Sequence, residues 1–88
     1  MKLKEGFILR QLCKEYIVVA EGLQNVDFNK MIVLNETAAF LWNGVLGKDF
    51  TVEDLTNLLL GRYDVEEERA ALDSKAIAQS WIDAGLAE

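Results

Sequence analysis

The chain has 88 residues and a formal net charge of −6, from nine Lys and Arg against fifteen Asp and Glu. That length leaves room for one core, so a single domain over residues 1–88 is expected, with its apolar stripes committed to packing before anything else. There is no His, and Cys13 is the one cysteine, which excludes an intrachain disulfide, metal sites built from paired thiolates, and the commonest general base.

Residues 1–6 read as a charged lead-in. Phe7–Leu12 (FILRQL) is rich in strand formers and sets Phe7, Leu9 and Gln11 on one face, with Ile8, Arg10 and Leu12 on the other. Residues 13–15 are a short polar break. Residues 16–21 (YIVVAE) carry three β-branched side chains and an aromatic, the strongest strand signal in the chain. The two segments most simply pair as an antiparallel hairpin. Residues 22–29 (GLQNVDFN) hold turn formers and read as a loop, and residues 30–34 (KMIVL) as a third short strand.

The period then changes. Asn35 is a good helix N-cap and Glu36 suits the first turn, where the helix dipole favours negative charge. Ala38, Leu41, Trp42 and Val45 recur at helical spacing, and Gly47 can end the helix. A second helix begins at Thr51, with Asp54 three residues on as a capping partner and Leu55, Leu58, Leu59 and Tyr63 as its apolar face. Asp64 and Glu67 repeat that spacing for a third helix running to about Ala84, closed by Gly85 with Leu86 beyond it. Its expected buried stripe is Ala70, Ser74, Ile77, Trp81 and Ala84. The order is βββααα. Three short strands cannot bury a face alone, so an α+β domain with the sheet packed on the helices is expected.

Catalytic equipment is missing from this pattern. Cys13 has no His to activate it and reads as a turn residue, while Glu66, Glu67 and Glu68 read as a solvated helix start. No calcium-loop spacing and no Gly-rich phosphate loop occur, and the six glycines are scattered. No enzyme activity, metal or cofactor is therefore expected. Trp42 and Trp81 read as core rather than as stacking platforms. No apolar run approaches the roughly 18 residues of a membrane span, and a cytoplasmic location is the default.

Charge is uneven. Residues 1–34 carry five basic and four acidic groups; residues 35–88 carry four and eleven. Acidic helices repel phosphate backbones, which argues against a nucleic-acid partner and for a basic peptide or one held through its backbone. Lys30, Met31, Ile32, Val33 and Leu34 form a strand that would lie at a sheet edge, with Lys30 its one charge and no proline to block pairing. Such an edge can accept a peptide strand, or a second copy of the chain. On the third helix Ala71, Lys75, Ala78 and Ile82 lie along one flank of the buried stripe and could line a shallow groove.

The segment from Met31 to Trp42 (MIVLNETAAFLW) resembles the LN-x-T-A-x-x-(L/I)-W stretch of PqqD-like proteins. Residues 51–55 (TVEDL), Leu59 and residues 63–65 (YDV) are similar to that family's second helix and its exit, residues 81–86 (WIDAGL) to its close, and residues 7–10 (FILR) to its first strand. The resemblance spans nearly the whole chain. It implies a winged-helix-like fold and the role of a RiPP recognition element, a module that binds the leader of a ribosomally made precursor peptide and presents it to a modifying enzyme, often a radical S-adenosylmethionine enzyme. In the family the leader adds beside the third strand and lies against the third helix, which correspond here to residues 30–34 and to the flank of Ala71, Lys75, Ala78 and Ile82. Ser74 and Ala78 are smaller than the family's usual apolar residues, Ile82 replaces a polar one, and Ala87 stands where a leucine is common. Two other readings remain on the residues alone: a structural module that self-associates through the same edge, and a winged-helix DNA binder.

Overall fold

The computed structural model describes residues 1–20 and 31–88, with Met31 described by its backbone alone. The expected loop 22–29, Glu21 and Lys30 lie outside the described residues. The elements are β1 (Phe7–Leu12), β2 (Glu15–Ala20), β3 (Met31–Leu34), α1 (Glu36–Val45), α2 (Val52–Arg62) and α3 (Glu67–Asp83). This is the expected α+β order, a three-stranded antiparallel sheet followed by three helices. Backbone contacts gather into two compact units, Glu5–Phe40 and Met1–Lys4 with Leu41–Glu88.

In the strand unit the order is β1-β2-β3. Leu12 pairs with Glu15, so Cys13 and Lys14 alone make the hairpin loop. A two-residue hairpin loop matching the strand twist needs positive φ at its first central residue, and Cys13 supplies it at φ 58. The expected break at 13–15 is thus one residue shorter, because Glu15 already pairs. Register places Phe7, Leu9, Val18, Ile32 and Leu34 on one face and Ile8, Arg10, Leu12, Ile17 and Val33 on the other. Val18 and Leu34 on the first face are buried; Leu12 and Val33 on the second are exposed, although Ile17 between them is buried. Asn35 caps α1 as expected, its Oδ1 accepting from the Ala38 N–H at 2.8 Å.

In the helical unit the core holds Leu41, Trp42, Val45, Phe50, Leu55, Leu59, Ala70, Ala78, Trp81 and Leu86, each at most 3% exposed. Trp81 meets Trp42 edge to face at 5.6 Å and Phe50 at 6.2 Å between ring centroids. Both tryptophans are core residues, as the helical spacing predicts. Thr51 and Asp54 form a complete reciprocal capping box, with Thr51 N–H donating to Asp54 Oδ2 at 2.9 Å and Asp54 N–H to Thr51 Oγ1 at 3.2 Å. At the end of α3, Gly85 takes the left-handed conformation (φ 78), its N–H donates to the Ile82 carbonyl and the Leu86 N–H to the Trp81 carbonyl. That is a Schellman close with Leu86 buried.

Three expectations are corrected. Asp64 does not cap α3. The helix starts at Glu67 with Glu66 as N-cap and no side-chain cap bond, because α2 continues to Arg62 and residues 63–66 are needed for the extended connection. The buried stripe of α3 is Ala70, Ser74, Ala78 and Trp81 rather than Ala70, Ser74, Ile77, Trp81 and Ala84. It is turned by about 35° at 100° per residue, toward Ala78. Finally, the first residues are more than a charged lead-in. Lys2 N–H donates to the Glu88 carbonyl and Glu88 N–H to the Lys2 carbonyl, Lys4 N–H donates to the Leu86 carbonyl, and Leu3 is buried opposite Ala87.

Candidate functional site

β3 is an edge. Its Cα register runs Tyr16–Leu34, Ile17–Val33, Val18–Ile32 and Val19–Met31, all on the β2 side. Nothing among the described residues pairs with the other side. In an antiparallel strand each residue turns both its N–H and its C=O to one side, alternately. Two of the four β3 residues therefore present both groups to β2 and two present them to the open edge. Natural edges are usually blunted by charge, proline or a bulge. Residues 31–34 have none of the first two, and Val33 stands 62% exposed. Leu34 is buried and Ile32 half-buried, so they anchor the strand while Val33 faces out.

The helix residues separate by burial. Ala71 and Lys75 are exposed and Ile82 is 41% exposed, forming one open strip of α3. Ala78 is 1% exposed and lies in the core stripe, which follows from the rotation of that stripe. The strand set belongs to the strand unit and the helix set to the helical unit. Cys13 is exposed at the hairpin tip. Among the described residues no three His, Cys, Asp or Glu side chains converge to hold a metal ion, and no helix is long and apolar enough to cross a membrane.

The helical unit also carries two concavities that sequence reasoning did not single out. One, of about 380 Å³, is lined by the end of α1, the connection after it with Lys48 and Phe50, and α2 with Asn57. At its wall Gly44 lets Leu58 approach, since a Cβ there would lie 2.9 Å from Leu58 Cδ1. The other opens at the start of α3 around Val65 and Leu72. The available signal for it was two large apolar residues, Val65 before α3 and Leu72 on its polar face, each of which single-residue scanning treats as ordinary surface.

The family described as Coenzyme PQQ synthesis protein D (PqqD) matches residues 15–87. A solved structure titled TbiB1 in complex with the TbiA(beta) leader peptide is similar in fold, with a TM-score of 0.76 at 14% identity over 100% of this chain and 95% of that one. No curated protein matches the chain.

Proposed function

The chain belongs to the PqqD family, and from that premise we propose that it is a non-catalytic recognition module. It captures the leader of a ribosomally synthesised precursor peptide by strand addition at β3 and presents it to a modifying enzyme in the cytoplasm, a radical S-adenosylmethionine enzyme being the expected class. The single recognition domain spans residues 1–88. Contacts are assigned to Lys30, Met31, Ile32, Val33 and Leu34 on the strand, and to Ala71, Lys75 and Ile82 on α3. Ala78 supports that strip from beneath.

The bare, apolar, uncharged edge of β3 is the observation that carries this reading. Support comes also from the fold shared with TbiB1, whose structure holds a leader peptide. The energetics require more than the edge. Two outward residues provide two N–H and two C=O groups, and net contributions run about 0.5–1.5 kcal/mol per hydrogen bond. About 2–6 kcal/mol from the backbone falls short of the roughly 8 kcal/mol of micromolar binding, before the cost of ordering the peptide. Alternate leader side chains must supply the rest, against Val33 on one side of the sheet and the Leu34 face on the other.

Titration of isotopically labelled protein with the leader of the precursor encoded beside its gene tests the reading. Amide shifts are expected in β3 and along Ala71, Lys75 and Ile82; shifts that avoid both sets refute the assignment. The same bare edge also supports a second reading, pairing with another copy of the chain, which light scattering across a concentration series distinguishes. DNA binding is disfavoured by α3, where Glu67, Glu68, Asp73 and Asp83 outnumber Arg69 and Lys75.

A further inference from the structure

We propose that the concavity at the start of α3 docks a basic, leucine-bearing segment of a partner protein, on residues separate from those assigned to the leader. It measures about 450 Å³ and is lined by Val65, Glu66, Glu68, Arg69 and Leu72. Val65 is 40% exposed and Leu72 61%. Leu72 lies about 200° from Ala70 at 100° per residue, on the side of α3 opposite the buried stripe. The core therefore gains nothing from a leucine there. One exposed leucine is ordinary surface, but two large apolar side chains lining one concavity form a floor that a partner can cover.

The rim states the chemistry of the occupant. Glu66 and Glu68 line the concavity beside Arg69, the one basic residue between positions 64 and 73. Its Nε is paired with Asp73 Oδ1 at 3.4 Å. The helix dipole accounts for Glu67 and Glu68 in the first turn. It does not require Glu66, whose side chain makes no cap hydrogen bond. An apolar floor with a negative rim fits an apolar anchor flanked by Lys or Arg. It rejects nucleic acid, an acidic segment, and a second copy of this chain, which would bring its own charge of −6. The site shares no residue with the β3 edge, so the two can be tested apart.

The probe is a short amphipathic helical peptide built from leucine and lysine alone, with a leucine and glutamate peptide as its counterpart, each titrated into the labelled full chain. The lysine peptide is expected to saturate shifts at Val65, Glu66, Glu68 and Leu72, and the glutamate peptide to shift none of them. Leu72→Ser keeps every charge and is expected to weaken binding about tenfold, the loss of one modest apolar anchor. Val65→Ser repeats the test off the helix. Equal affinity in both serine variants, shifts spread evenly over the acidic surface, or shifts confined to β3 would each overturn the proposal. Loss of leader binding in a β3 variant leaves the lysine-peptide result untouched, so failure of one assignment is distinguishable from failure of the other.

Discussion

Ser74 offers a sharp test of how the helical unit is packed. Its side chain is 0% exposed, and its Oγ is buried with no hydrogen-bond partner among the described residues. A buried hydroxyl left unpaired costs about 1–3 kcal/mol. Ser74→Ala removes that cost and leaves a void of one oxygen, worth a few tenths of a kcal/mol in lost packing. It also puts a better helix former in the middle of α3, by roughly half a kcal/mol. The net expectation is a gain of about 1–2 kcal/mol. For a chain of this size that raises Tm by roughly 4–8 °C per kcal/mol. Thermal and urea unfolding followed by circular dichroism measure it, with an unchanged m-value as the sign that the stability change is in the folded state. A lower Tm would refute the reasoning. It would mean that Ser74 is satisfied by a buried water.

Ile32→Pro and Val33→Pro should give complementary results. One of these adjacent residues turns its N–H to β2 and the other to the open edge, so one variant loses sheet stability and the other keeps its fold but binds leader at least tenfold more weakly by calorimetry. Two variants that fold and bind like the parent would remove the edge from the mechanism. Cys13→Gly should stabilise the hairpin by about 1 kcal/mol in denaturant unfolding, because a side chain at φ 58 carries a left-handed strain that glycine lacks. Asp54→Ala should cost about 0.5–2 kcal/mol by the same assay, since it opens one half of the capping box and leaves the Thr51 N–H to solvent.

The local rules were legible where they acted over short distances. Asn35, Thr51 with Asp54, and Gly85 with Leu86 all make the caps their spacing predicts, because capping is decided within four residues. What the sequence hid was non-local. The pairing of residues 2–4 with residues 86–88 joins the two ends of the chain, and its only trace is the lone apolar Leu3 between two lysines. The start of α3 misled because Asp64 has capping chemistry but sits in the turn that α2 leaves behind. The rotation of the α3 stripe came from what α3 packs on. Trp81 is fixed against Trp42 and Phe50, and the stripe that accompanies it is set by those rings rather than by the mean apolar direction of the helix. Of the candidate site, the edge status of β3 followed from strand order, whereas the exposure of Val33 and the burial of Ala78 needed the register and the helix rotation.

Salt separates the two possible occupants of the β3 edge. A short apolar edge invites pairing with any strand, and residues 31–34 carry no charge to prevent it. Protection falls to shortness, four residues, and to the charge of the whole chain. Two copies meeting edge to edge each bring a net −6, and their repulsion extends over a Debye length of about 10 Å at 0.1 M salt. A leader with basic residues gains from the same field that keeps copies apart. Raising salt from about 50 mM to about 500 mM therefore acts in opposite directions: leader affinity falls as attraction is screened, and self-association rises as repulsion is screened. Sedimentation of the chain alone and calorimetry with the leader, across one salt series, measure both. If leader affinity climbs with salt while the chain stays monomeric throughout, electrostatics plays neither part, and apolar side-chain contacts at Val33 and along α3 carry the selection alone.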